Sequence, residues 1–536
     1  MRTAYTSDQI RAAETALMAR LPEGTLMSRA AAGLAMVCAN LLKGVRGRVY
    51  GSHVALLVGG GDNGGDTLYA GALLARRGAR VEAVLAGSRA HEGGLAALLA
   101  AGGRAGPFDA ARAGDLLARA DVVLDGLVGI GGGGSLREPY GTLAELTADA
   151  AGLVVAVDVP SGVDASSGRV EGPAVRAHLT VTFGAYKAGL LVDPGASHAG
   201  SVELVDIGLG PHLPDPEVAA PTGDDVAGLL PRPGAESDKY RRGVVGIAAG
   251  SDRYTGAAVL SVGGAVRAGA GMVRFASTAE PVRLVRARWP EAVTTVLDPS
   301  SSPESLLEEV GRVQAWVLGP GLGTGPEAHA VARAVLSADV PVLVDADGLT
   351  LVAKDRTLLR RAAPTVLTPH AGELSRLLGV PREQIEAARL DHVRRAAAEL
   401  GATVLLKGST TLVAEEHRPV RVNTTGTPWL ATGGTGDVLS GITGALLAAG
   451  LSGYDAASCA AYVHGLAARI AARGGDGGGA RGDARAEAGG RAEARYRGGD
   501  GGRGEAGYGA GDGGRGEAPI AALDVAEAIP AALRML

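Results

Sequence analysis

Aromatic residues are scarce: three Phe, three Trp and 11 Tyr among 536 residues. A core with so few rings must be filled by Val, Leu, Ala and Ile, which suits parallel sheets covered by helices. Only two cysteines occur, Cys38 and Cys459, in separate apolar, helix-like stretches. That argues against a disulfide framework and fits a reducing compartment, so the expected location is the cytoplasm. A net charge of −5 excludes a global field that would recruit nucleic acid. The first residues, Met1-Arg2-Thr3-Ala4-Tyr5, run into a polar segment, unlike a secretory leader. No apolar run is long and uninterrupted enough to predict a membrane span. The GxxxxGK[ST] loop is missing too, which disfavours a P-loop enzyme.

Glycine is what the chain has in abundance, 85 residues, much of it at the ends of short apolar runs. The length exceeds one domain of roughly 100–200 residues. Thr6 with Gln9 predicts a capping box opening a helix to about Leu21, and a second helix is expected over Ser28–Leu42. Strands are then expected at His53–Val58, Val81–Leu85, Val122–Leu124, Leu153–Asp158, Leu179–Phe183 and Val202–Asp206. The proline-rich stretch Pro211–Pro221 reads as a linker, dividing domains at 1–210 and 225–536 with 211–224 between them. The second series of strands is Val244–Ala249, Met272–Ala276, Ala315–Leu318, Pro341–Val344, Thr365–Thr368 and Thr403–Leu406, with a short Leu412–Ala414 and Val420–Val422 pair. Two doubly wound α/β domains follow from this alternation. Residues 473–517 mix Gly, Arg, Asp, Glu and Ala with almost no apolar content, and disorder is expected there. RGG-like pieces leave a nucleic-acid tether open for that insert. A closing helix is expected over Ile520–Leu536.

In the first half, an apolar run enters Gly59-Gly60-Gly61-Asp62-Asn63-Gly64-Gly65-Asp66, with a helix expected from about Thr67. Strand, glycine turn and helix present backbone N–H groups to a ligand. Asp62, Asn63 and Asp66 add oxygens that suit a hard cation or ribose hydroxyls, and the loop does not match the dinucleotide fingerprint. Two more strand ends are polar: Asp125, followed by Gly129-Ile130-Gly131-Gly132-Gly133-Gly134-Ser135, and Asp158-Val159-Pro160-Ser161-Gly162-Val163-Asp164. Three such ends in one sheet predict one ligand crevice, although each aspartate alone could be a turn former or cap.

Together with Thr182-Phe183-Gly184-Ala185-Tyr186-Lys187, these motifs resemble the NAD(P)H-hydrate epimerase domain over roughly residues 1–210, with a Rossmann-like three-layer fold. The resemblance implies a potassium ion held by Asn63, Asp125 and Ser161. It implies hydrated NAD(P)H at Asp62, Asn63, Gly64, Gly65 and Asp66, at Gly129 through Ser135, and at Asp158. Asp62 and Thr67 depart from the family, which often has asparagine and glycine there. Inverting the hydroxyl-bearing ring carbon needs an acid–base group. Asp158, at the end of a buried strand, is the candidate; Lys187 is either a proton or phosphate contact or a surface lysine.

In the second half, Gly433-Gly434-Thr435-Gly436-Asp437 precedes the apolar stretch Val438–Ala449. Glycines before a helix make an anion hole of N–H donors and dipole. A carboxylate beside a phosphate is unfavourable unless it handles a proton or a metal, so the motif predicts phosphoryl transfer to a hydroxyl, the alternative being a plain helix cap. Before it come Gly250-Ser251-Asp252, Gly319-Pro320-Gly321-Leu322-Gly323, Asp345-Ala346-Asp347-Gly348, Thr368-Pro369-His370-Ala371-Gly372-Glu373 and Lys407-Gly408-Ser409-Thr410-Thr411. Lys407 and the hydroxyls after it suit a phosphate or nucleotide contact, and His370 is either a ligand contact or a cap.

This set resembles the NAD(P)H-hydrate dehydratase branch of the ribokinase-like fold, over about residues 225–536. The resemblance implies hydrate contacts at Ala258, Gly321, Gly323, His370 and Asp437, and nucleotide contacts at Lys407, Gly408, Ser409, Thr410, Thr411 and Gly436. Asp437 is then the base for phosphorylation of the ring hydroxyl, ADP is the favoured co-substrate, and Mg²⁺ bridges its phosphates. The partners expected are small molecules, hydrated NADH or NADPH and ADP, and a homo-oligomer is expected. The competing reading is a small-molecule kinase, of a hydroxymethylpyrimidine or a sugar, behind a non-catalytic first domain.

Overall fold

The computed structural model describes residues 1–297, 303–474 and 517–536. Of the insert expected to be disordered over 473–517, residues 475–516 lie outside the described residues; at its described ends Arg473 caps helix Gly453–Ala472 and pairs with Glu517 (3.8 Å), so those ends are ordered. The chain divides between Glu217 and Val218 into two compact units. The division lies inside the stretch expected to be a linker, yet that stretch is structured. Val218–Ala220 is a strand paired in parallel with Val420–Asn423, and Thr222 caps a helix over Gly223–Leu229.

The first unit holds a seven-stranded sheet whose strands are all parallel. Its order is Arg104–Pro107, Arg80–Leu85, His53–Val58, Val122–Gly126, Leu153–Val157, Leu179–Phe183, Ser201–Val205. Numbered in chain order this is 3-2-1-4-5-6-7, so the winding reverses between His53–Val58 and Val122–Gly126, where ligands bind in such sheets. Leu56, Val58 and Leu124 pack on one face, and Ala55, Leu57 and Val123 on the other. That two-sided burial is why these strands read as continuous apolar runs. Thr6 makes the expected capping box with Gln9, and the helix runs Ser7–Met18. Helix Thr25–Arg46 has the length and mean hydropathy (1.4) of a membrane-crossing segment, with 44% of that window buried in the fold. Its Leu34, Cys38 and Leu42 lie in the core of the unit.

The second unit repeats the scheme: Val293–Val296, Met272–Ser277, Val244–Ala248, Ala315–Leu318, Val342–Val344, Thr365–Leu367 and Thr403–Leu406 are parallel neighbours. Thr411–Ala414 and Val420–Asn423 extend it antiparallel. Helices Thr255–Arg267, Thr435–Ala448, Gly453–Ala472 and Ala522–Arg534 share one apolar core on the sheet. The last of them is the expected closing helix.

Gly59 shows how closely the first unit is fitted at its reversal point. A Cβ there would fall 1.9 Å from the Leu127 carbonyl oxygen. Gly59→Ala is expected to lower stability by about 1–3 kcal/mol, measurable as an earlier unfolding transition in denaturant; an unchanged midpoint contradicts this close approach.

Candidate functional sites

The first site forms where the sheet reverses. The helix after the glycine turn spans Asp62–Arg76, starting five residues before the expected Thr67. Asp62, Asn63 and Asp66 therefore occupy its first turns instead of crowding the loop. A cavity of about 810 Å³ opens in front of them. Asp62, Asn63, Asp66, Gly129, Ile130, Gly131 and Asp158 all line it. Gly64 and Gly65 do not; they are buried, and a Cβ on Gly64 would meet the Gly59 carbonyl oxygen at 2.2 Å. Gly132, Gly133, Gly134 and Ser135 also stand off the lining. The loop turns back through a Gly132 N–H to Gly129 carbonyl bond (3.0 Å), and Ser135 packs on Gly172.

Asp158 has φ 68, the left-handed region that an aspartate tolerates better than most residues. Its Oδ1 accepts from the Lys187 ammonium (2.5 Å), the Phe183 N–H (3.1 Å) and the Thr182 hydroxyl (3.2 Å). Lys187 is only 1% exposed, so it is no surface lysine. Its Nζ also donates to the Phe183 carbonyl (2.8 Å) and the Thr182 hydroxyl (3.0 Å). On the same cavity wall, burial first and then the charges of Asp158, Asp62 and Glu14 push Asp66 well above the usual carboxylate range. One of its oxygens is buried without a hydrogen-bond partner.

Behind the cavity, Asp125 is fully buried and accepts from the Ser161 hydroxyl (2.6 Å), the Ser161 N–H (2.8 Å) and the Leu127 N–H (3.3 Å). Burial outweighs these bonds and raises it to about 6. Ser161 also accepts from the Val128 N–H (3.0 Å), and the Asn63 amide nitrogen is buried with no partner. Asp125, Ser161 and the Val128 carbonyl thus present oxygens to one another with no cationic side chain among them.

The second site is built on helix Thr435–Ala448, whose cap is Gly434 at φ 91. Asp437 lies in the first turn and is not the cap. Burial, then the neighbouring Asp345, raises its carboxyl to about 7 against a lowering by Lys407. Asp345 accepts from the Lys407 ammonium (2.7 Å) and the Ser440 hydroxyl (2.7 Å). Lys407 also lies 3.7 Å from Glu373. Burial alone would lower Lys407, but Asp345, Glu373 and Asp437 together hold it above its ordinary value. A Cβ on Gly436 would stand 3.5 Å from that ammonium, which places Gly436 at the same point.

His370 caps helix Ala371–Leu378: its Nδ1 accepts from the N–H groups of Gly372 (2.9 Å) and Glu373 (3.3 Å). Burial lowers its pKa, with Lys407 and Arg376 adding to this against Glu373. A neutral ring accepting at Nδ1 carries its proton on Nε2, and the side chain is 55% exposed, so cap and ligand contact are compatible. Gly323 donates its N–H to Asp347 (2.9 Å), and Gly321 accepts from the Ser251 hydroxyl (2.8 Å). Ala258 is fully buried in the core, so any contact it makes is not through its side chain. Thr410 is 1% exposed and its side chain is likewise withdrawn, while Gly408 packs on the Arg389 guanidinium. Arg389 donates to the carbonyls of Lys407 (3.2 Å) and Thr410 (3.1 Å), fixing the turn. Ser409 is exposed and Thr411 half-buried.

Residues 23–189 match the family model described as YjeF-related protein N-terminus, and residues 245–475 match that of NAD(P)H-hydrate dehydratase. The bifunctional NAD(P)H-hydrate repair enzyme of Mycobacterium tuberculosis is 48% identical over 453 residues, which are 84% of this chain and 90% of that one. The chain belongs to the bifunctional NAD(P)H-hydrate repair enzyme family. The enzyme of that name from Corynebacterium glutamicum is 37% identical over 519 residues, covering 84% of this chain and 87% of its own. Among solved structures, the ADP/ATP-dependent NAD(P)H-hydrate dehydratase of Bacillus subtilis, co-crystallised with ATP and Mg²⁺, is 33% identical with a TM-score of 0.43, covering 46% of this chain and 88% of that one.

This repair enzyme therefore carries an epimerase domain and a dehydratase domain, and the two sites described fall one in each. In the epimerase domain, sequence reasoning gave no role to Thr182, Glu14 or Arg11. Thr182 stood in a motif already noted, whereas Glu14 and Arg11 had no signal, since only the packing of their helix brings them to the cavity. In the dehydratase domain it gave no role to Asp345, Glu373 or Ser440. The first two stood in motifs already noted, and an acid following a buried strand was a usable signal. Ser440, one turn beyond Asp437 on a buried helix, had none.

Proposed function

We propose that the epimerase domain interconverts the R and S hydrates at Asp158, and that the dehydratase domain phosphorylates the S hydrate from Mg·ADP at Asp437. The products are NAD(P)H, AMP and phosphate. The observation that carries the second step is the Asp437 carboxyl, raised to about 7 in the first turn of a helix beside the Asp345–Lys407 pair. A base works best with a pKa near the working pH. As the ring hydroxyl attacks the terminal phosphoryl group, its proton goes to Asp437. The phosphorus–oxygen bond to AMP breaks, and the first-turn N–H groups stabilise the charge on the moving group. Phosphate then leaves the ring, taking its bonding electrons, and a neighbouring ring proton is lost to restore the double bond. Lys407, already held by two carboxylates, serves here to neutralise Asp345, and so limits how far the Asp345 charge raises Asp437. Product analysis tests this: NAD(P)H with free phosphate and AMP is expected, whereas a stable phosphorylated compound would sink it in favour of a kinase.

In the epimerase domain, Asp158 lies on the cavity wall with Lys187 behind it, in position to pass a proton at the ring carbon bearing the hydroxyl. Asn63, Asp125 and Ser161 suit a potassium ion, because Asp125 is a fully buried carboxyl with no countercharge and its neighbours offer oxygens. The ion would supply that countercharge. Replacing potassium by tetramethylammonium at pH 8 is therefore expected to slow epimerisation several-fold, because the Asp125 carboxylate loses the cation that would pair with it. Equal rates in the two salts at pH 8 would remove the ion from the account.

A further inference from the structure

We infer that the loop Gly87-Ser88-Arg89 is a subsite for the 2′-phosphate of the adenosine ribose, so that the epimerase domain prefers the hydrate of NADPH to that of NADH. This rests on reading the 810 Å³ cavity as the hydrate site. Ser88 and Arg89 line that same cavity, together with Asp158. They follow strand Arg80–Leu85, the neighbour of the glycine-turn strand His53–Val58 on the side away from Asp158. In dinucleotide-binding sheets, the end of that neighbouring strand meets the adenosine ribose. An acid there bonds the 2′-hydroxyl of NAD, whereas an arginine accommodates the 2′-phosphate of NADP. Here no carboxylate occurs between Glu82 and Glu92, and Arg89 stands in the gap.

The dimensions agree. From strand Arg80–Leu85 to strand Leu153–Val157, which ends at Asp158, there are three strand spacings, about 14 Å at ~4.8 Å each. A dinucleotide with its ring at Asp158 and its diphosphate before helix Asp62–Arg76 has its second nucleoside at Arg89. The loop is also fixed in place. The Gly60 N–H donates to the Tyr140 hydroxyl (3.3 Å), a Cβ on Gly87 would meet that hydroxyl at 3.6 Å, and one on Gly60 would meet the Arg89 carbonyl at 3.3 Å.

Charge singles out Arg89. The cavity wall carries four carboxyl groups, Glu14, Asp62, Asp66 and Asp158, and two cations, Arg11 and Arg89. Arg11 is engaged with Asp8 (3.1 Å) and the Ile130 carbonyl (2.9 Å). Arg89 is exposed and makes no ion pair among the described residues. Its guanidinium offers a forked set of donors that matches a phosphate.

The test measures kcat/KM for epimerisation of the separated R hydrates of NADPH and NADH, in the wild-type chain, Arg89→Ala and Arg89→Lys. Arg89→Ala is expected to lower the NADPH-to-NADH ratio at least tenfold, through KM of the phosphorylated hydrate, and Arg89→Lys to recover part of it. Inhibition by 2′-AMP should exceed that by 5′-AMP in the wild-type chain only. Turnover of the NADH hydrate by the same variant reports that the domain is folded. An unchanged ratio, or equal losses on both hydrates, overturns the subsite. Failure of the wild-type chain to epimerise either hydrate instead overturns the reading of the cavity.

Discussion

Asp437→Asn is expected to cut kcat of the dehydration by about 10²–10⁴-fold, the range for loss of a general base, with little change in KM. Asparagine keeps the shape of the side chain and its place in the first helical turn, and loses only the ability to take a proton. The wild-type rate should rise with pH through about 7, because the carboxylate form is the active one. In the variant that limb should vanish. A second consequence runs in the opposite direction. The folded state holds the Asp437 proton up to about 7, whereas the ordinary value is 3.8. The unfolded chain therefore binds fewer protons between these values, and the carboxylate weakens the fold progressively as pH rises from about 3.8 to about 7. At pH 8 Asp437→Asn should unfold at a higher temperature than the wild type, and below pH about 4 that gain should be gone. A base held against the interest of stability is what an active site requires. A variant that loses stability at pH 8, or keeps its rate, would mark Asp437 as a structural residue and not the base.

Lys187→Met should destabilise the epimerase domain by about 3–5 kcal/mol, the effect of removing one partner from a buried ion pair. Lys187 is 1% exposed and the Asp158 side chain 11%, so the carboxylate left behind has little water to turn to. The same change removes donors from the Thr182 hydroxyl and the Phe183 carbonyl. Since a buried pair replaced as a whole is often neutral, Asp158→Asn with Lys187→Met should regain most of the stability and none of the epimerase activity. Denaturant unfolding and epimerisation rates measured on the wild type and these two variants decide this. If Lys187→Met alone unfolds like the wild type, the pair is not a buried one in solution.

The strands that could be read from the sequence are those whose burial is written into consecutive residues. His53–Val58, Leu179–Phe183, Ala315–Leu318 and Thr403–Leu406 have the bounds expected, because both faces of a central parallel strand are covered. The strands missed are of another kind. Arg104–Pro107 and Val293–Val296 are edge strands with exposed or half-buried side chains, so no apolar run marks them. Arg2–Tyr5 and Val218–Ala220 are extended by pairing with distant segments, Tyr186–Lys187 and Val420–Asn423, which local sequence does not encode.

The sites divide in the same way. The glycine turns and strand-end acids announced themselves, since few other purposes put Gly, Asp and Asn together after a buried strand. What they touch did not. Lys187 could be read as a surface side chain until the ends of Leu153–Val157 and Leu179–Phe183 lay side by side. Lys407 looked like a free phosphate ligand until Asp345, at a strand end, and Glu373, in the first turn of helix Ala371–Leu378, closed around it.

The central claim is that one chain returns both hydrate epimers to the reduced cofactor. A mixture of R and S hydrates, incubated with Mg·ADP and potassium while reduced-nicotinamide absorbance is followed, tests it most directly. Complete recovery is expected from the wild-type chain, with Asp158→Ala stopping at the S fraction and Asp437→Asn recovering the cofactor about 10²–10⁴-fold more slowly. A wild-type chain that stops at the S fraction, or an Asp158→Ala chain that matches it in rate and extent, would contradict the account.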